Sequence, residues 1–360
     1  MRIFSSVSRY VQGPGVLDQI GAISREFGIH AVLVTDADLE QRFGQRVSAS
    51  FAEAGAILHL LTFPGEVTRT VIDKLANTAR SVDPVVVIGL GGGKALDTAK
   101  GVALALHKPF VSVPTIAATD APASLAIAVY DDAHVLTEIL KLPRNPEVVL
   151  VDTAVICAAP LPFFLAGIGD AISKKFEAEA CAAARAETPH GTLSNYTGLA
   201  VADACYQLIR RHALPAVAAV QNRQLTEDVE ALIEATVLLS TMSFENAGLS
   251  IAHAVAKGFP VVPRSAKTLH GLHVAYGLLV QLVLEEREPE FLDELVQFYR
   301  AVGLPTRLAD LALIDASADE LQLLVDTAMT SPSIKRFVST VTADTLKSAI
   351  LAVEKLGGPA

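Results

Sequence analysis

No run of about 18 apolar residues, the length a membrane-spanning helix requires, survives along this chain, although 51% of its 360 residues are hydrophobic. The nearest approach, TAVICAAPLPFFLAGIGDA over 153–171, is broken by Pro160 and Pro162 and contains Asp170, so it reads as a linker followed by the start of a buried helix. Cysteine is scarce. Cys157, Cys181 and Cys205 are odd in number and form no CxxC pair, which argues against a disulfide framework and against a thiolate zinc site. The opening MRIFSSVSRYVQGPG lacks the apolar core of a secretory signal, and no transit peptide stands out, so the expected location is cytoplasmic. Blocks of Lys and Arg are also missing from a chain of net charge −10, so nothing suggests a nucleic-acid footprint or a basic membrane-binding face, and a small molecule is the expected partner.

What is present divides into two halves. Short apolar runs recur through the first 150 residues: HAVLVTDADL (30–39), AILHLLTF (56–63), PVVVIGL (84–90), PFVSVPT (109–115) and EVVLVDT (147–153). They are separated by stretches long enough for helices, which predicts βαβ units and a parallel sheet of Rossmann-like kind. PVVVIGL is apolar at almost every position, as a strand covered on both faces must be. Beyond about residue 160 strand signals stop, and Ala/Leu-rich segments with helical periodicity take over at 196–212, 226–247, 270–286 and 290–302. The expected division is an α/β dinucleotide-binding domain over 1–159 and an all-α domain over 160–360, with the boundary at the prolines of CAAPLPFF.

PVVVIGLGGGKALDTAK (84–100) runs from a strand through glycines into a helix. It is not a P-loop, because Lys94 is followed by Ala95 and no hydroxyl is available for magnesium. It is not the GxGxxG fingerprint either, since Lys94 stands where the third glycine belongs. Taken alone it could be only a tight strand-to-helix turn. Its placement says more: the amides of Gly91, Gly92 and Gly93 at a helix start, beside Lys94, suit a pyrophosphate. Asp36, just past HAVLVT, can accept from a ribose diol and repel a 2′-phosphate, or can simply cap a helix.

Two histidines lie in apolar or glycine-flanked helical settings, His253 in AGLSIAHAVAKG and His270 in AKTLHGLHVAYG. Asp170 opens a helix after an apolar stretch. One carboxylate and two imidazoles would form a three-ligand site with open positions, as catalytic zinc or ferrous iron needs. Spacing alone does not show that they converge, and a lone histidine in such a setting is more often a satisfied core residue.

The motifs GGGKALDTAK, VPTIAATDAPAS, LPRNPEVVLVDT, AGIGDA, AHAVAKGF and LHGLHVAYGLLVQLVLE occur in one order over nearly the whole chain. In them the chain resembles the iron-containing (type III) alcohol dehydrogenase family, in its glycerol dehydrogenase branch. The resemblance implies a dehydroquinate synthase-like fold with NAD in the cleft between the two domains, a homo-oligomer, and one divalent metal (zinc, or else iron or manganese) on Asp170, His253 and His270. It implies that Asp36 binds the adenosine ribose. Gly91, Gly92, Gly93, Lys94 and Asp97 would serve the pyrophosphate region, and Thr115, Ala118, Ser124, Ala126 and Tyr130 the rest of the cofactor. Asp120 matches a carboxylate that contacts glycerol hydroxyls.

Three positions depart from the family's usual pattern. Ala256 replaces a second histidine, Lys174 follows Asp170 by one turn at a position that is histidine in four-ligand relatives, and His273 is an extra histidine that could accept a proton. The expected activity is NAD-dependent, metal-dependent oxidation of a small polyol such as glycerol or another 1,2-diol. If Lys174 shares Asp170's helix face, its charge would instead favour a 2-oxo acid, as in hydroxycarboxylate dehydrogenase relatives, although it could equally be a solvated helix residue. Asp120 weighs against the anionic substrate. A dehydroquinate synthase-like lyase is the third expectation.

Overall fold

The computed structural model describes residues 1–131, 136–356 and 358. The chain divides into two compact units, one of residues 5–159 and the other of residues 1–4 with 160–360.

In the first unit six parallel strands form one sheet: β1 (Arg9–Gly13), β2 (His30–Thr35), β3 (Ile57–Thr62), β4 (Val86–Gly91), β5 (Phe110–Pro114) and, after a hairpin, β8 (Val148–Asp152). The hairpin is antiparallel and pairs β6 (Ala126–Tyr130) with β7 (Leu136–Lys141). The order β1-β8-β5-β4-β2-β3 places β3 on one side of β2 and β4 on the other. The strands predicted at 30–39, 56–63, 84–90, 109–115 and 147–153 are all present in shorter form. Three more escaped the sequence pattern. β1 lies at a sheet edge, carries Arg9 and Gln12 and is only half buried, and β7 is mostly exposed and carries Thr137, Glu138 and Lys141, so neither presents a continuous apolar run; β6 (AIAVY) is apolar throughout but only five residues long.

Side chains alternate between two cores, as the pleat requires. Val32, Val34 and Val87 face Ala95, Ala99, Val102 and Ala103 of helix Gly93–Leu106. Ala31, Leu33, Val86 and Ile88 face Ile20 and Ile23 of helix Ile20–Arg25 and Val47 and Phe51 of helix Ala37–Glu53. Every residue of β4 is buried, which is why its sequence is apolar throughout.

The second unit is built from helices, the longest being Tyr196–Gln221, and its described residues contain no strand, only one isolated bridge between Glu187 and Leu193. The predicted helix over 196–212 continues to Gln221, through Pro215. The segment predicted as one helix over 226–247 is two, Glu227–Glu234 and Ser240–Ala247, joined by a turn of π-helix at Ala235–Leu239. Among the described residues no helix is long and apolar enough to cross a membrane.

Candidate functional site

Asp170, His253 and His270 each come from a different helix, Leu161–Ala171, Ile251–Ala256 and His270–Leu284. Glycine brings these helices together. A Cβ added to Gly271 would lie 1.8 Å from the Ala166 carbonyl oxygen, and one at Gly169 would lie 2.5 Å from that of Gly271, so the first and third helices cross backbone to backbone beside Asp170 and His270. Further along, a Cβ on Gly277 would lie 2.4 Å from the Ala252 carbonyl oxygen, one residue from His253.

The result is a cluster in which one oxygen and two ring nitrogens all lie within 4.8 Å of one another. Asp170 is buried at its base, His253 is half buried and His270 is exposed at the rim. The rings of His253 and His270 meet edge to face with centroids 5.6 Å apart. A carboxylate oxygen with two imidazole nitrogens, open to solvent on one side, fits a divalent ion that keeps coordination positions for substrate.

Glu177 supports this cluster, and the sequence did not single it out. It is fully buried on helix Lys174–Ala183. Its Oε1 accepts from the amides of Ser250 (2.8 Å) and His253 (3.0 Å), capping the helix that carries His253. Its Oε2 accepts from Ser173 Oγ (2.9 Å) and pairs with His253 Nδ1 at 2.6 Å. With Nδ1–H committed to this carboxylate, Nε2 is the nitrogen turned toward Asp170, 3.4 Å from Oδ1. Burial alone would raise the Glu177 carboxyl, but the His253 and Lys174 charges and the Ser250 amide outweigh it and bring it down to about 2. Burial likewise disfavours a charged His253 ring, yet Glu177 and Asp170 carry it up to about 9.

Lys174 shares the face of Asp170, and it is fully buried rather than solvated. Its Nζ donates to Asp170 Oδ1 at 2.5 Å, lies 3.3 Å from His253 Nε2, and stands 5.7 Å from the centre of the Phe244 ring. Burial pushes the Asp170 carboxyl up, but Lys174 and the two imidazoles prevail and hold it far below the usual carboxylate range.

His273 lies inside the helix His270–Leu284 rather than at the rim. Its ring stacks on Phe259 with centroids 4.6 Å apart, its Nε2 is hydrogen-bonded to the Thr268 hydroxyl, and its Nδ1 has no partner among the described residues. Burial, aided by repulsion from His270, pushes its pKa down to about 3, so the ring is neutral at physiological pH. A proton acceptor needs reach to its donor, and this ring is 1% exposed.

The residues expected around the cofactor belong to the sheet unit. Asp36 follows β2 and Gly91 ends β4, and these two strands are neighbours at the point where the chain order reverses. In open α/β sheets ligands bind outside the carboxyl ends of strands at such a point. Gly91 has φ +151, and a Cβ there would lie 2.6 Å from Ala95 Cβ, so only glycine turns this corner. Gly92 precedes helix Gly93–Leu106 with no side-chain cap. Asp36 Oδ1 caps the next helix by accepting from the Leu39 amide at 2.9 Å. Lys94 Nζ pairs with Glu66 at 3.0 Å.

Asp97 turns inward. Its Oδ1 takes a hydrogen bond from Lys100 (3.0 Å) and its Oδ2 one from the Ala128 amide (3.0 Å), while burial raises its carboxyl. Lys100 Nζ also donates to the carbonyls of Ala121 (2.7 Å) and Ala126 (2.9 Å), so the Asp97–Lys100 pair pins the segment that holds Asp120, Ser124 and Ala126. Within that segment Ser124 Oγ accepts from the Ala126 amide, and the Asp120 carbonyl accepts from the Ala123 amide. The buried Thr115 donates its amide to the Gly91 carbonyl, tying this stretch to the glycine loop, and Ala118 is buried behind it. Tyr130 closes β6, its amide donating to Val67 and its hydroxyl pushed up by burial.

A doubly wound sheet with a glycine loop at its switch point, and a helical unit carrying a carboxylate–imidazole cluster, define a nucleotide-binding type of enzyme. A family profile described as "Iron-containing alcohol dehydrogenase" matches residues 7–153. The chain is 36% identical to glycerol dehydrogenase of Thermotoga maritima over 97% of its own length and 96% of the relative's, and 34% identical to glycerol dehydrogenase of Escherichia coli over 99% and 97%. The crystal structure of glycerol dehydrogenase from Schizosaccharomyces pombe superposes with a TM-score of 0.95 at 30% identity, covering 99% of this chain and 91% of that one. The chain belongs to the iron-containing alcohol dehydrogenase family and is an oxidoreductase.

Proposed function

We propose that the protein is an NAD-dependent, metal-dependent polyol dehydrogenase acting on glycerol or a related 1,2-diol. The observation that carries this reading is the convergence of Asp170, His253 and His270 from three helices into one donor cluster open on one side. The relatives named glycerol dehydrogenase support the substrate class.

In this reading Asp170, His253 and His270 hold the divalent ion, zinc in the first instance, with Glu177 fixing the His253 tautomer. When bound, such an ion supplies a Lewis acid that lowers the pKa of an alcohol, and the nicotinamide supplies the hydride acceptor. The 91–94 loop seats the pyrophosphate. Asp36 takes the adenosine ribose with Oδ2, the carboxylate oxygen its helix cap leaves over, which disfavours a 2′-phosphate. Asp120 offers acceptors to a diol and repels a carboxylate. Asp97 supports the cofactor indirectly, by holding the segment after β5. His273 takes no part in proton transfer here; it braces the turn at Thr268.

An anionic 2-oxo acid would require a cation directed at it, but the Lys174 ammonium is already paired with Asp170. The test is a panel of glycerol, 1,2-propanediol and 2-hydroxybutyrate with NAD, run after chelation and after adding back zinc, ferrous iron or manganese. The expected result is loss of turnover on chelation, recovery with metal, and a higher kcat/KM for the diols. Full activity in metal-stripped protein overturns the metal role, and product formation without NADH overturns the dehydrogenase reading.

A further inference from the structure

We propose that Lys174 is a built-in counter-cation of the Asp170, His253 and His270 cluster, standing where a divalent ion would bind and competing with it. This rests on the metal-site reading above. The argument is geometric. Asp170 Oδ1 and His253 Nε2 are 3.4 Å apart, and Lys174 Nζ lies 2.5 Å from the first and 3.3 Å from the second. An ion bonded to both at about 2.1 Å must sit within about 1.2 Å of the line joining them, so every position open to it lies within about 3.6 Å of the Lys174 nitrogen.

The ammonium has no easy retreat. The residue is fully buried, and its nitrogen faces the Phe244 ring at 5.7 Å. A divalent ion therefore either displaces the amine from Asp170 or binds beside a like charge. In exchange, the metal-free protein carries no uncompensated charge at Asp170: the buried carboxylate keeps a cationic partner whether or not an ion is present. The expected behaviour is a fold indifferent to chelation and a divalent-metal affinity held well below what the donor set alone would give.

The test is zinc binding by the full-length chain, measured by competition with a chromophoric chelator and checked by the visible absorption of cobalt(II) at the same site. Lys174→Met, which keeps the length of the side chain and removes its charge, is expected to bind zinc at least about 100-fold more tightly than the native protein. Its metal-free form should melt at a lower temperature than the native metal-free form, because Asp170 loses the Lys174 ammonium and keeps only His253, at 3.4 Å, as a cationic partner. Lys174→Gln should give the same ordering if the Met variant does not fold. Lys175→Met, whose native ammonium pairs with Glu179 and Asp203 at the surface, should bind like the native chain. Unchanged or weaker zinc binding in the Lys174 variants overturns the inference, provided that Asp170→Asn and His270→Ala abolish binding. If those two also leave binding unchanged, the metal-site reading falls instead.

Discussion

Glu177 shows how much one side chain can do when both of its oxygens are committed. One end caps the short helix Ile251–Ala256, and the other sets the face that His253 presents. Glu177→Gln keeps the shape but replaces one acceptor by a donor, which cannot accept from His253 Nδ1–H and from two amides at once. Zinc affinity is expected to fall by about 10- to 100-fold, the range seen when a partner behind a metal-binding histidine is lost, and chelator competition reads it. The donors themselves were legible in the sequence as residue types in suitable settings, with the family resemblance supplying their grouping. Glu177 was not, although it lies in GDAISKKFEAEA, because its partners Ser250 and His253 are far along the chain and no local pattern links them. Lys174 was noticed for its spacing from Asp170, but its contact with His253 depends on helix Ile251–Ala256, far along the chain.

At the scale of elements, the site depends on how closely helices can approach. Gly271 touches the Ala166 carbonyl with no room for a methyl group, whereas Gly44, in helix Ala37–Glu53, has only Glu40 Cγ at 3.6 Å near its would-be Cβ. Gly271→Ala is expected to cost about 1 to 3 kcal/mol or more and to weaken metal binding, since the crossing must open beside His270. Gly44→Ala should instead stabilise by about 0.5 to 1 kcal/mol. Denaturant unfolding of the two variants measures both, and equal effects would show that the crossing is not tight. The same contrast explains what the sequence revealed of the fold. Buried strands such as β4 announce themselves by composition, and long amphipathic helices by period. β1 and β7 do not, because half-exposed strands mix polar and apolar residues. A glycine in a helix pattern reads as a weakness until the neighbouring helix is seen against it.

For the molecule as a whole, the three cysteines report on the integrity of both units: Cys157 lies in the sheet unit, and Cys181 and Cys205 in the helical one. All are buried, burial pushes the Cys181 thiol up, and the Cys205 thiol stands at about 12. Since the thiolate is the reactive form, a thiol-specific chromogenic reagent should label none of them in the native protein within minutes and all three in denaturant. Rapid native labelling of a thiol would show that the unit carrying it opens locally. The backbone crossing at Gly169 and Gly271 has a temporal consequence as well. It joins segments about a hundred residues apart, so the donor atoms cannot meet until most of the helical unit has condensed, and long-range closures of this kind come slowly. The absorption of cobalt(II) at this cluster, followed during refolding, would serve as a clock for the last stage of folding.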